Sequence, residues 1–378
     1  MTGAVVYLDH AATTPLRPAV FEAMMPFLTE RYGNPSGAHL LARRARRAVD
    51  DARDVLAEAL GAEPGDIIFT GGGTESDNLA VLGVLDAVGG VAVCPASEHH
   101  AVLHPVLNRA GRVVAVRADG TVDLDALAGA LDPGVTVVSV MLANNEIGTV
   151  GPLAEVAERV RALAPGAVLH TDAVQAFPWL DVKALAAPAD MVSISAHKFG
   201  GPQGVGALVA RPGARLAART LGGGQERERR SGTHNVAGIV GMAEAARLTV
   251  KERTEVVDRV APLRDALVDA LVDAVPGATE TGDRRAKIAG NCHVCFDGVE
   301  SEALLFLLEA EGICASAASS CASGAQDPSH VLAALGVPRS RALGSLRLSL
   351  GSTTTGADVA HALAVIPPAV ARLREMGS

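Results

Sequence analysis

Short runs rich in valine and isoleucine, interleaved with amphipathic helical stretches, predict an α/β fold. The expected core is a mostly parallel sheet with helices on both faces, followed by a smaller α+β domain. Three observations carry this reading. Apolar runs recur between 66 and 210, helical patterns separate many of them, and the style of the chain changes after 250.

In chain order the strand-like runs are DIIFT (66–70), VAVCPA (91–96), VTVVSVML (135–142), AVLHTDA (167–173), DMVSISAH (190–197) and GVGALVA (204–210). Helical periodicity covers 41–60, 74–87 and 152–164. From Lys251 to Ala274 a long amphipathic helix is expected, closed by Pro276-Gly277. A strand (NCHVCFD), a helix over 301–312, a loop, another helix and a last strand (SLRLSL) follow. These elements suggest a large domain at 16–250 and a small one at 251–378, joined by residues 1–15.

The bulk properties narrow the class. A chain of 378 residues, 49% hydrophobic and 20% charged, without repeats or low-complexity tracts, reads as a globular protein of more than one core. The most apolar stretch, Leu79 to Ala96, is broken by Asp86 and a glycine pair, so no membrane span is expected. The start, MTGAVVYLDHAATTP, has neither the basic residues nor the apolar core of an export signal. Five cysteines are too few for a disulfide framework and odd in number, which favours reduced thiols in a cytoplasm. A net charge of −9 argues against nucleic-acid binding. The basic run Arg43–Arg47 reads as a helix surface paired at i,i+4, Arg46 with Asp50 and Arg47 with Asp51.

Cation usage points to chemistry. Of 33 cations only four are lysines, at 183, 198, 251 and 287. Only an amine forms a Schiff base, and a guanidinium does not deprotonate to do so. Lys198 follows the run MVSISAH, and from Ala184 to Ala210 its one formally charged companion is Asp190. A free lysine is neutral in only about one molecule in 2,500 at pH 7, and an apolar setting raises that fraction. Asp172 ends the preceding strand, with Gln175 three residues on. Upstream, a strand runs into three glycines and then Thr74-Glu75-Ser76, where free N–H groups at a helix start make an anion site. No GxxxxGK[ST] or GxGxxG motif is present. An acid, a lysine and a phosphate cradle at successive strand ends match the needs of pyridoxal phosphate.

The motifs YLDHAATTP (7–15), GNPSGAH (33–39), GGTESDN (72–78), EHHAVL (98–103), NNEIGT (144–149), HTDAVQ (170–175), SAHKFGGPQGVG (195–206), GGGQERERRSGT (222–233), SSCASG (319–324) and LRLSLG (346–351) span the chain. In this order and spacing the sequence resembles the cysteine desulfurases of the NifS/IscS-like group. These belong to the class V aminotransferase family of fold-type-I pyridoxal phosphate enzymes.

The resemblance implies roles at the matching positions. Gly73, Thr74, Ser195 and His197 bind the phosphate, joined by Thr233 from the other subunit of a homodimer. His99 stacks on the pyridine ring and assists proton transfer, Asp172 pairs with the ring nitrogen, and Gln175 bonds the ring hydroxyl. Lys198 anchors the cofactor and removes the Cα proton, while Asn145 and Arg347 hold the carboxylate of L-cysteine. Arg347 has support of its own: Ser345, Arg347 and Ser349 share one strand face, and a guanidinium fork suits a carboxylate. Cys321 takes the sulfur as a persulfide and hands it to an acceptor, an iron–sulfur scaffold or a tRNA-thiolation enzyme. No resident metal is implied, although Cys321 is a transient ligand for a cluster built on a scaffold.

The cysteines separate this reading from its rivals. Cys321 sits among small residues, ASAASSCASGAQDPS, suited to a mobile loop. Cys292 and Cys295 form a CxxC, but three-residue spacing on a strand puts them on opposite faces, against a redox or metal pair. Cys94 and Cys314 read as packing residues. The rivals are a selenocysteine lyase or another class V aminotransferase, and a non-catalytic sulfur carrier. Three departures stand out: Ala42 where glycine is common, His234 where proline often follows SGT, and Ala318-Ser319-Ser320 where Gly-Ser-Ala is usual.

Overall fold

Alternation within the strands explains the layers. In Ile67-Ile68-Phe69, Ile67 and Phe69 enter one apolar core and Ile68 the other, so the strand is buried on both faces. The computed structural model describes residues 5–317 and 328–377. In the described residues the strands are β1 (Val6–Tyr7), β2 (Ile67–Thr70), β3 (Val91–Pro95), β4 (Arg112–Val114), β5 (Val135–Ser139) and β6 (Val168–Asp172). They continue with β7 (Met191–Ser195), β8 (Gly206–Ala210), β9 (Ala278–Glu280), β10 (Asn291–Phe296), β11 (Ile313–Cys314) and β12 (Ser345–Ser349).

The main sheet has the order β2-β8-β7-β6-β5-β3-β4. All neighbours are parallel except β8, which runs antiparallel to both β2 and β7. Helix Gly73–Val88 covers one face, and helices Leu40–Leu60 and Leu153–Leu163 the other. The α/β class and the mostly parallel sheet are as the periodicity predicts.

The long helix is longer than expected. It begins at Val236, capped by Asn235, whose side chain accepts from the Gly238 N–H at 3.0 Å, and runs to Ala274. Its first half buries Ile239, Met242 and Ala246 against the large sheet. Its second half buries Val260, Leu267 and Leu271 against Val6, Leu8 and strands β10 and β12. The expected boundary at 250/251 therefore falls inside one helix that serves two cores. Polar residues such as Lys251, Glu252 and Arg253 end the apolar pattern of the first half without ending the helix.

The second sheet has the order β12-β10-β9, all antiparallel, and β1 pairs in parallel with β11. The N-terminal segment thus packs with C-terminal elements. Cys292 points into the core with Val294 and Leu348, whereas Cys295 packs with Ile147, Val331 and Leu332. The two thiols occupy opposite faces, as the spacing implied. Cys94 lies within β3, fully buried, and Cys314 is half-buried on β11.

Two local details differ from the sequence reading. Arg47 does approach Asp51, at 4.0 Å, but Arg46 turns back to the Pro35 and Gly37 carbonyls instead of meeting Asp50. His234 replaces the usual proline with a hydrogen-bonded ring, its Nε2 lying 2.7 Å from Glu226 Oε1. Glu226 also receives two contacts from Arg53, at 2.7 and 2.8 Å, and the Phe69 N–H at 2.9 Å. This cage holds Glu226, Arg227 and Glu228 at φ values of 51°, 57° and 63°, a left-handed run that side chains normally avoid.

Candidate active site

Strands β2, β3, β5, β6 and β7 all point the same way, and the residues after their carboxyl ends meet at one cavity of about 500 Å³. Open α/β sheets collect ligands at this edge. The N-terminal segment contributes Asp9, Ala11 and Ala12, and the C-terminal elements contribute Ser316, Ser329 and Arg347.

Beyond β2 the chain needs glycine. Gly72 has φ 146°, and a Cβ on Gly73 would lie 2.9 Å from the Val174 side chain. The helix starting at Gly73 makes its first return bond from Ser76 N–H to the Gly72 carbonyl, at 3.1 Å. The N–H groups just before Ser76 therefore have no intrahelical acceptor. Ser195, the last residue of β7, and His197 just beyond it line the same recess. His197 Nδ1 lies 3.2 Å from Thr13 Oγ1, and burial, then the Lys198 charge, push its pKa down to about 4.

Lys198 is anchored rather than swinging on the surface. Its Nζ donates to the carbonyls of Ala11 at 2.6 Å and Ala12 at 2.8 Å. Gln175 Nε2 donates to the same Ala11 carbonyl at 2.7 Å. Asp172, 7% exposed, accepts the Val174 N–H at 2.8 Å. Burial pushes its carboxyl up to about 6, against the pull of that N–H and of Lys198.

His99 caps the helix His100–Asn108, its Nδ1 accepting the Ala101 N–H at 3.2 Å. Burial first, then Lys198 and neighbouring histidines, lower its pKa to about 4. With Nδ1 accepting, a neutral ring carries its proton on Nε2. His100 stacks on His104 at 4.6 Å and tilts against His330 at 4.3 Å.

Arg347 is 6% exposed and no surface residue. One Nη2 contact reaches Asp9 Oδ1 at 2.7 Å, Nη1 donates to the Asn145 carbonyl at 3.2 Å, and Nε is buried without a partner among the described residues. Beside it, burial pushes Glu146 up to about 7, with the Ser329 hydroxyl and Arg347 acting the other way.

Of the residues expected from sequence, Gly73, Thr74, His99, Asn145, Asp172 and Gln175 line the cavity, as do Ser195, His197, Lys198 and Arg347. Thr233 is exposed and lies outside it. Cys321 falls outside the described residues, as do Ala318, Ser319 and Ser320. The sequence reading gave no role to Asp9, Asp77, Glu146 or the Ala11 and Ala12 carbonyls. Asp9 and Asp77 stand inside quoted motifs, but nothing local says what they face.

The donor set fits pyridoxal phosphate. A buried acid, an amine held at the wall, a neutral histidine and a glycine cradle with free N–H groups share one chamber. The aminotransferase class-V family model matches residues 6–361. The chain belongs to the class V aminotransferase family. It is 46% identical to an IscS-like cysteine desulfurase of Mycobacterium tuberculosis, over 98% of this chain and 97% of that protein. It is 42% identical to a cysteine desulfurase IscS of Dictyoglomus turgidum, over 98% and 95%. Among solved structures it resembles a NifS-like protein at 33% identity and TM-score 0.88, covering 98% of this chain and 99% of that one. A NifS-like protein from Rickettsia africae matches at 30% identity with the same TM-score and coverage.

Proposed function

We propose that this family member is a cysteine desulfurase that holds pyridoxal phosphate on Lys198 and moves sulfur from L-cysteine to Cys321, releasing L-alanine. The observation that carries the reading is the meeting of Asp172, Lys198 and Arg347 in one cavity. A coenzyme acid, an amine and a carboxylate fork are what an amino-acid substrate requires there.

Gly73, Thr74, Ser195 and His197 would hold the phosphate and Asp172 the ring nitrogen. Gln175 would hydrogen-bond the ring hydroxyl. When bound, the cofactor supplies an electron sink for the carbanion at the substrate Cα. Arg347 and Asn145 fix the carboxylate, which orients the Cα–H bond toward Lys198. The Lys198 amine takes that proton and later returns it. His99, whose Nδ1 accepts a backbone N–H, would assist proton transfer through Nε2. Cys321 attacks as thiolate, a form that an ordinary thiol holds only to ~3% at pH 7, so proton removal accompanies the step. The substrate Cβ–S bond breaks, an S–S bond forms at Cys321, and Cβ takes up one proton in place of the sulfur.

The other thiols support this choice. Cys94, Cys292 and Cys295 are buried, and burial pushes the Cys292 thiol up to about 12. An exposed apolar strip on helix Pro18–Thr29, formed by Phe21, Met25 and Leu28 at 52%, 48% and 61% exposure, supports a homodimer. In that dimer Thr233 would reach the facing site. Among the described residues no helix is long and apolar enough to cross a membrane. The acceptor of the sulfur is an iron–sulfur scaffold or a tRNA-thiolation enzyme, in a cytoplasmic setting.

The test is to add L-cysteine to the purified protein, assay alanine and sulfide together, and weigh the peptides. One extra sulfur on the Cys321 peptide is expected. Cys321→Ala retains the cofactor spectrum and its response to cysteine but releases no sulfide. Normal turnover of that variant, or sulfur on Cys292, Cys295 or Cys314, overturns the reading.

A further inference from the structure

The sheet face beneath helix Gly73–Val88 is apolar over most of its length, with Ile68, Val137 and Met191 meeting Leu79, Val81 and Val84. Toward the carboxyl ends of β5, β6 and β7 the same face turns polar. Strand register aligns Ser139 with His170 and Asp172 with Ser193, and i,i+2 spacing keeps His170 and Asp172 on one side. All four are buried. Onto this island the helix lowers Asp77, itself 1% exposed and part of the cavity wall.

Asp77 Oδ1 lies 3.6 Å from His170 Nε2 and has no hydrogen-bond partner among the described residues. His170 directs both nitrogens at hydroxyls, Nδ1 to Ser139 Oγ at 2.8 Å and Nε2 to Ser193 Oγ at 2.9 Å. The carboxyls Asp172 and Glu98 act on Asp77, and Lys198 lines the same cavity and acts on Asp172. Burial and then Asp172 push its carboxyl well up, with Ser193 opposing and Glu98 adding, while burial pushes His170 down to about 3. The 3.6 Å contact sets an unpartnered carboxyl oxygen beside a ring nitrogen already engaged with Ser193 Oγ, and burial disfavours the charged form of both groups. Two interacting buried carboxyls do not readily both ionise.

We propose that Asp77 is a positioning residue that stands as a neutral acid behind Asp172, leaving Asp172 the one carboxylate of the pair to face the cofactor's ring nitrogen. This rests on the assignment of Asp172 to that nitrogen. A charged Asp77 would draw a proton onto Asp172 and take away the ring's partner. A neutral one steers the negative charge to the cavity side.

Asp77→Asn keeps the shape and the neutrality, whereas Asp77→Ala leaves His170 and Ser193 facing a hole. In the purified protein at neutral pH, the infrared difference between wild type and Asp77→Asn contains a protonated-carboxyl carbonyl band. Asp77→Ala shifts the pH at which the cofactor absorbance changes by about one unit. It lowers kcat roughly tenfold with KM little altered, and Asp77→Asn recovers most of both losses. Absence of the carbonyl band, or an Asn variant as impaired as the Ala variant, overturns the proposal even if Asp77→Ala fails to fold. If Asp172→Asn leaves the cofactor spectrum unchanged, the assignment of Asp172 has failed. That result overturns the positioning role while the infrared result stands.

Discussion

Arg347 Nη2 donates to Asp9 Oδ1 at 2.7 Å, joining two residues 338 positions apart at the cavity that the substrate enters. The contact uses one prong of the fork, and the Asn145 carbonyl takes another. A substrate carboxylate has to meet the guanidinium in this fixed orientation.

Arg347→Lys keeps the charge but loses the planar fork. A charge-assisted hydrogen bond is worth about 1.5–3 kcal/mol, so KM for L-cysteine should rise roughly 10- to 100-fold. The cofactor spectrum should not change. Steady-state kinetics beside an absorbance scan measures both, and an unchanged KM removes Arg347 from the substrate site.

Lys198→Ala should fold, since the Ala11 and Ala12 carbonyls that it bonds are on a cavity wall that water reaches. Losing these contacts should cost only about 1–3 kcal/mol. Turnover and the pH-dependent visible absorbance of the bound cofactor should vanish. Continued release of alanine in an endpoint assay would refute Lys198 as the anchor.

Thr233 is exposed and does not line its own chain's cavity. If it completes the facing site, mixed dimers of Lys198→Ala and Thr233→Val chains contain one intact site, and activity should return in part. No recovery in verified hybrids, with each parent inactive, would assign Thr233 to its own chain.

Glu226 shows the acid side of stability. Its carboxyl is held down at about 2: burial opposes the charge, but Arg53, His234 and the Phe69 N–H outweigh it. Because the folded value lies below the unfolded one, its stabilisation is present above pH 4.5 and fades as pH falls toward 2. Glu226→Gln leaves Arg53 buried without its counter-charge, at a cost of about 3–5 kcal/mol near neutrality. Denaturant titrations of both proteins should show that gap narrowing below pH 4.5. A gap independent of pH would mean that shape rather than charge holds the left-handed turn.

The local pattern carried a good part of this. Val- and Ile-rich runs marked the strands of the large sheet, because burial on two faces demands continuous apolar sequence. Strand ends marked Asp172 and Lys198, since an acid or a lone lysine after such a run stands where ligands collect. Period-two alternation alone puts Cys292 and Cys295 on opposite strand faces. The extent of the long helix escaped, because its polar middle at Lys251–Arg253 looks like a boundary although the backbone hydrogen bonds continue through it.

By itself, the sequence determined the layers of the fold, the order of the strand ends and the chemical types gathered at them. These follow from short-range rules of burial and backbone geometry that any window of the chain displays. The tertiary structure alone decided that Asp9 meets Arg347, that Ala11 and Ala12 receive Lys198, and that Asp77 faces His170. Each of those pairings depends on where distant segments cross. A carboxylate in a motif looks the same whether it will face solvent, an arginine or a second carboxyl. Its charge state and its role emerge only when packing has removed the water and chosen its neighbours.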